Sequence, residues 1–561
     1  MKRSSIIAAL AAMVLTIAAC GSSGGGAGSG TSSPSGGSAG KTTSSSQSGS
    51  SASGSSPSTS GSGDQQFADG KTLTIAMSAD PGNLDPQMTA LSTTLQVDQF
   101  LYDTLLTVDA KGKLQPRLAG SWDSTATEAT FTLREGITCS DGSPLTASTV
   151  ADNINFVADP KNASAALGLF VPPGAKATAD DDARTVTVTS PSPNPFLVES
   201  LGGLFIVCAD GVKDRSVLAK GGAGTGMYTL KDSVASDHYT LARRDGYAWG
   251  SGDFDAKQQG LPDTVILKIV PNESTAANLL VSGQVDAARI VGPDRDRVSA
   301  TDPFERDLQS LLGELWFNHA SGQPAADQAV RSALTQALDL AQLRAVITGG
   351  NGKAPTGMIN PGSTPCTGDT VTGNLPAHDV SAATSALEAA GWTGSGTRAK
   401  DGKPLAITLY YPSSLGPNMQ AGAELMQKSW QAIGADVTIK PMTDTEMSKI
   451  ILAGQGHWDA ALVPVGLPLP TQLVPFVSGA GAPDGQNFSA IDNADYTAAV
   501  QKAMQQVGAA GCDQWDAAET ALFKAVDVVP FASSTVPWFG KGVTFELTQG
   551  EIDPSTVRMS A

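Results

Sequence analysis

The sequence predicts an α/β body divided into at least two lobes, on three observations. Helical and extended patterns alternate along the chain. The plainest case is a helix over 421–433 that ends at Gly434, with the strand Val437, Thr438, Ile439 directly after it. That order places helices around sheets. The run 265–270 is apolar except for Lys268, which suits a strand central in a sheet. The stretch 71–561 is too long to share one hydrophobic core.

The elements follow in order. Residues 73–77 alternate apolar and polar and read as the first strand. A turn-rich stretch, 78–86, leads to a helix over 95–106 with Val97, Leu101 and Leu105 on one face. Phe131, Thr132, Leu133 and Val186, Thr187, Val188 are further strands. Between them Thr146 is placed to cap a helix whose Val150, Ile154 and Val157 share a face. Asp327 caps a helix with Val330, Leu334 and Leu338 at four-residue steps, ended by Gly349 and Gly350. Ser381 opens another that stops at Gly391, with Trp392 set to pack back over its last turn. No repeat of fixed period is present.

The first 63 residues are of another kind. Lys2 and Arg3 precede an apolar or small run from Ile6 to Ala19, and Cys20 follows at once. A basic start, a short apolar core and small residues before a break make a secretory signal, and the run is short for a bilayer span. Its end resembles a bacterial lipobox, which implies removal of 1–19 and lipid on Cys20. Residues 21–63 are almost all Gly, Ser and Thr. Such a segment buries too little to offset the entropy of ordering it, so it reads as a tether reaching about 35–40 Å. Gly36, Ser38 and Gly40 match G-x-S-x-G, but the strand and helix that a nucleophile elbow needs are missing.

Composition excludes several functions. The formal net charge of −18 opposes nucleic acid and anionic lipid, which leaves the acyl chain as the expected membrane contact. With 40% hydrophobic and 16% charged residues the body fits a soluble globular protein. His238, His319, His378 and His457 lie far apart, without metal-ligand spacing. No metal, cofactor or catalytic set is expected. Apart from Cys20 the cysteines are Cys139, Cys208, Cys366 and Cys512, an even number that suggests two disulfides outside the cytoplasm.

Eight blocks in order resemble one family. They begin with Asn83-Leu84-Asp85-Pro86 and Phe100-Leu101-Tyr102-Asp103-Thr104-Leu105-Leu106. Leu118-Ala119-Gly120-Ser121-Trp122 leads to Phe131-Thr132-Leu133-Arg134-Glu135-Gly136-Ile137, and Ser140-Asp141-Gly142-Ser143-Pro144-Leu145-Thr146 runs on to Val150. Gly224-Thr225-Gly226-Met227-Tyr228, Leu280-Val281-Ser282-Gly283-Gln284-Val285-Asp286 and Val330-Arg331-Ser332-Ala333-Leu334 complete the series. Together they resemble the extracytoplasmic substrate-binding proteins of peptide and nickel type ABC importers. Ser148 and Thr149 stand where that family usually has acidic residues.

The resemblance implies a two-lobed periplasmic-binding-protein fold with an extra subdomain. Lobe I would comprise 71–313 and 536–561, with the subdomain near 111–204, and lobe II 314–535. A monomer would hold a small peptide or peptide-like solute between the lobes and deliver it to ABC permease subunits. The ligand contacts that the resemblance implies are Ala90, Leu91, Ser92, Trp316, Asn318, Trp458 and Asp459. Four cysteines allow three pairings; Cys139–Cys208 and Cys366–Cys512 keep each bridge inside one lobe. In the family's peptide binders a W-x-x-D segment anchors the α-ammonium. Val465 and Pro468 stand at those Trp and Asp positions, so another acid must serve or the ligand lacks a free amino terminus there. The competing functions are an envelope-tethered hydrolase and a solute sensor without transport.

Overall fold

The computed structural model describes residues 66–561 apart from 90, 110, 111, 253, 293, 363, 482 and 483. The expected signal segment, Cys20, the tether as far as residue 65, and Ala90 lie outside the described residues.

Ten strands form one continuous sheet. In chain order they are β1 (Thr72–Met77), β2 (Tyr228–Val234), β3 (His238–Arg243), β4 (Thr264–Ile269), β5 (Ala287–Arg289), β6 (Phe304–Phe317), β7 (Ala406–Pro412), β8 (Asp436–Met442), β9 (Ala460–Leu462) and β10 (Val528–Gly540). Their order across the sheet is β2-β3-β4-β1-β5-β10-β6-β9-β7-β8. β1 runs parallel to β4 and β5, and β7 runs parallel to β8 and β9. These parallel groups lie on either side of the long antiparallel pair β6 and β10, which is paired from Phe304–Gly540 to Trp316–Val528 with its register shifting on either side of Gly313.

The hydrophobic clusters divide along that pair. Leu73, Ile75, Val265 and Leu267 belong to one cluster, and Ala76, Ala277, Leu280 and Phe539 to another. Further along β6, Leu315 and Phe317 pack with Leu334, Leu409 and Trp430, while Trp316 between them packs with Ala461, Trp515 and Val528. This is period-two alternation on a sheet covered on both faces. Residues 305–311 and 533–537 belong to none of the four clusters. They are instead rich in polar groups, with Arg295 paired to Glu305 and Asp307, and Lys353 to Asp307.

A smaller four-stranded sheet, Ala119–Ser124, Glu128–Leu133, Thr185–Thr189 and Lys176–Asp180 in that order, joins the first half. The helix Ala147–Ala158 covers it, and Thr146 caps that helix by accepting from the Thr149 amide. After β10 the chain returns to the first half, where Val543, Ile552, Val557 and Met559 join the cluster of Leu73. The two ends of the described chain meet there, as the Ala561 amide donates to the Gln66 carbonyl at 2.7 Å. Cys139 is bonded to Cys208 and Cys366 to Cys512, with Cα–Cα distances of 6.1 and 5.0 Å.

The helices read from Ser381 and over 421–433 start earlier, at Val380 under a cap by Asp379 and at Pro417, and two others differ further. The one read over 95–106 is Ser92–Leu101, and Asp103–Thr104 pairs as a strand with Phe205–Ile206. Asp103 favours that exit because its buried carboxylate accepts from Arg117 Nε, Tyr247 Oη and Trp249 Nε1, each at 2.9 Å. The helix opened by Asp327 ends at Gln336, and a second, Leu340–Ile347, follows. Asp339 accepts from the Ala341 and Gln342 amides and so caps a new start. Among the described residues no helix is long and apolar enough to cross a membrane.

Candidate functional site

The site is built where β6 enters the second half. Trp316 is fully buried. Its indole N–H donates to the Val463 carbonyl at 2.9 Å and lies 3.2 Å from Glu314 Oε2. Glu314 Oε1 accepts from the Val465 amide at 3.0 Å. Glu314 thus fixes the start of the segment 463–470, which leaves the end of β9. Burial pushes its carboxyl well above the usual range.

The neighbouring pair is held as firmly. Asn318 Nδ2 donates to the Trp458 carbonyl at 2.9 Å. Asp459 Oδ2 accepts from the Thr408 amide at 2.8 Å and lies 3.3 Å from His457 Nε2. Burial raises the Asp459 carboxyl, while the Thr408 amide and His457 partly oppose that. Phe488 packs on both tryptophans, with ring centroids 4.8 Å from Trp316 and 6.2 Å from Trp458.

The structure therefore brings together four of the seven residues expected to line a ligand: Trp316, Asn318, Trp458 and Asp459. All four are buried, and the Trp316 indole N–H, the Asn318 side-chain amide and the Asp459 carboxylate are engaged within the second half. Leu91 and Ser92 are exposed at the start of the helix Ser92–Leu101.

A cavity of about 190 Å³ lies beside this group. Asn360, Cys366, Pro470, Trp515, Asp516 and Glu519 are among the residues that line it. Asn360 joins three elements: its amide donates to the Leu467 carbonyl at 2.9 Å, its Oδ1 accepts from the Leu311 amide at 3.4 Å, and Gly466 packs against it. Glu519 accepts from Thr370 Oγ1 at 2.6 Å and from the Met358 amide at 3.3 Å. Burial carries its carboxyl up to about 7. Desolvation, and then Asp513, raise Asp516 as well.

The first half reaches the rim of this cavity twice. Gly112, at φ +72°, lies so close that a Cβ there would stand 2.0 Å from the Thr364 carbonyl oxygen. The Gly508 amide donates to the Pro195 carbonyl at 2.9 Å, and the Phe196 and Trp515 rings are 5.9 Å apart. Sequence reasoning missed Glu314, Asn360, Glu519 and this contact. Neither spacing nor composition marks them, because their partners come from distant segments. The Asn-Pro and Gly-rich turn at 360–362 was the available signal.

Comparison with solved structures identifies the fold. The ABC transporter substrate-binding protein CtaP of Listeria monocytogenes superposes with a TM-score of 0.71 at 22% identity, covering 88% of this chain and 100% of that one. NikA from Brucella suis, in complex with Fe(III)-EDTA, gives 0.68 at 21% identity, covering 87% and 99%. The class is the two-lobed solute-binding protein. The model for bacterial extracellular solute-binding proteins, family 5, matches residues 113–482, and the chain belongs to that family. Curated relatives from Escherichia coli strain K12 agree. The periplasmic murein peptide-binding protein MppA is 26% identical over 411 residues, 66% of this chain and 71% of that protein. The nickel-binding periplasmic protein is 26% identical over 396 residues, 65% and 70% respectively.

Proposed function

We propose that this protein captures a peptide or peptide-like solute between its lobes and hands it to an ABC permease, as a monomer lipid-anchored through Cys20. The observation that carries the reading is the hinge. Residues 305–311 and 533–537 link the two halves and belong to none of the four hydrophobic clusters, although Leu311, Ser533, Thr535 and Val536 are buried; we take this strand pair as the axis about which the halves rotate. We place lobe I at 71–313 and 536–561, its subdomain near 111–204, and lobe II at 314–535. A ligand touching both surfaces favours the closed arrangement by its differential affinity for that arrangement.

Binding without catalysis is our reading of a chain that belongs to a solute-binding family, and the four histidines have the following partners. His319 is held down to about 3 by burial and the Arg331 guanidinium, so it stays neutral and faces the Asp527 carbonyl. His378 faces the Gln336 carbonyl, His238 stands among Asp232 and Asp237, and His457 sits by Asp459. Among the described residues, none of these hydrogen bonds is to a Ser, Thr or Cys side chain that could serve as a nucleophile.

The ligand class is read from 464–470. With Pro468 at the position of the peptide binders' Asp, free-amino di- and tripeptides lose a charge-assisted hydrogen bond. That costs about 1.5–3 kcal/mol, or about ten- to a hundredfold in affinity. N-blocked, cyclic or longer ligands avoid the loss. The test is mass spectrometry of small molecules co-purified with the native protein, followed by calorimetry of free and N-acetylated peptides. Submicromolar binding of free di- and tripeptides that acetylation abolishes would overturn the ligand class. Chemical turnover of a bound solute would overturn the binding-only reading.

A further inference from the structure

The contact at Phe196 joins surfaces of different ownership. The helix Leu197–Gly202 packs Leu197, Val198 and Leu201 into the first-half core. Phe196, the residue before it, is fully buried, yet it belongs to the second-half cluster with Trp515 and Leu522. It is presented rigidly from the small sheet. The Ser190 amide donates to the Thr127 carbonyl at 2.8 Å and the Asn194 amide to the Ala126 carbonyl at 2.6 Å. Asn194 Oδ1 in turn accepts from the Phe196 amide at 3.0 Å.

The receiving surface is also a single clamped unit. It consists of the described loop residues 356–362 and 364–370 and the helix Cys512–Lys524 with the short turn Gly508–Gly511 before it. The Cys366–Cys512 disulfide ties loop to helix. Glu519 ties them again through Thr370 and the Met358 amide, and Thr370 Oγ1 closes the loop on the Thr356 carbonyl at 3.1 Å. Thr364, which meets Gly112, lies on the same loop. Both first-half contacts described above therefore land on elements that one disulfide holds together.

We propose that Phe196 is a latch that keeps the two lobes in contact in the ligand-free protein, and that the Cys366–Cys512 bridge keeps its seat in shape. An aromatic side chain inserted across the seam removes apolar surface from water only while the lobes touch. The Pro195–Gly508 hydrogen bond is shielded by the same contact. Without the bridge, Thr364 and Cys366 are no longer tied to the helix Cys512–Lys524, and the seat widens. The latch concerns the lobes of the proposed function but needs no solute, so either can fail without the other.

Hydrogen exchange of the Gly508 amide and small-angle scattering test it on the full protein without added ligand. The proteins compared are the wild type, Phe196→Ala, Phe196→Leu and the double variant Cys366→Ser/Cys512→Ser. In Phe196→Ala the Gly508 amide should exchange about tenfold faster or more, and the radius of gyration should increase. Phe196→Leu should fall between that variant and the wild type. The double cysteine variant should shift the same way. The amides of Phe131 and Val186 in the small sheet should exchange at the wild-type rate throughout. Wild-type exchange and radius in Phe196→Ala would overturn the latch. Retained Gly508 protection in the cysteine variant would overturn the role of the bridge. Binding of no peptide at all would leave both standing and count against the solute reading alone.

Discussion

Along β6 and β10 the two halves share an antiparallel ladder running from Phe304 to Trp316. At Pro195 and Phe196 the same halves meet through a backbone hydrogen bond and a ring contact. The ladder is covalently continuous with both cores, whereas the seam is made of side chains and one turn. A ladder bends where packing is thin, and a seam parts where few groups are satisfied only by contact. The pairing of a permanent joint with a breakable one is what a clamp requires. It also separates two kinds of substitution, those that unfold a lobe and those that merely part the lobes.

The largest effect should come where β6 is anchored in the second half. Trp316→Ala removes a fully buried side chain and should cost about 3–5 kcal/mol, seen as a lower denaturant midpoint of lobe II. A loss of solute affinity at unchanged stability would instead make Trp316 a ligand contact. That outcome would move the breakable boundary deeper into the second half than Phe196.

Next is acidity at the seat. The Glu519 carboxyl lies at about 7 in the fold against an ordinary 4.5. The folded state therefore holds this proton over a range in which the unfolded state has released it. The stabilisation is fully present below about 4.5 and is lost as pH rises through about 7, by up to about 3 kcal/mol. Glu519→Gln should flatten the fall in melting temperature between pH 5 and 8. An unchanged slope would assign it to other groups, Glu199 and Glu551 being similarly raised to about 7.

On the ladder, Gly313→Ala places a Cβ 2.7 Å from Phe531 and 2.8 Å from Ile347. Overpacking there should cost about 1–3 kcal/mol in equilibrium unfolding. A stability equal to wild type would show that the irregular register at Gly313 already gives way, and that the hinge extends to that point.

Gly112→Ala should have the smallest effect on stability. Its Cβ meets the Thr364 carbonyl at 2.0 Å, at a φ of +72°. The clash can be relieved by parting the lobes, so unfolding free energy should change by about 1 kcal/mol while scattering reports a larger radius. A large stability loss without expansion would mean that this contact belongs to a core rather than to a seam.

Much of this fold was legible in the chain because its signals are local. Thr146 caps its helix, and Gly391 ends another with Trp392 buried behind it. The run around Lys268 pairs on both sides, with β1 and β3. Legibility failed where a distant partner outbid local periodicity. Asp103 ended a helix early because Arg117, Tyr247 and Trp249 converge on it. The site was less legible for the same reason. Trp316, Asn318, Trp458 and Asp459 do converge, but as a packed group. Of the residues that frame the cavity, Asn360 carries only the signal of a turn and Glu519 carries none.

The meeting of Gln66 and Ala561 has a mechanical consequence. The Ala68 amide also donates to the Met559 carbonyl, at 3.0 Å, so residues 66–68 and 559–561 are stitched into the same edge of the first half. Tension applied through the amino-terminal segment enters there and is borne by that half alone. The second half is an excursion of the chain that leaves and returns through adjacent strands, so it carries no load. A pull on residue 66 would leave the second half free to swing.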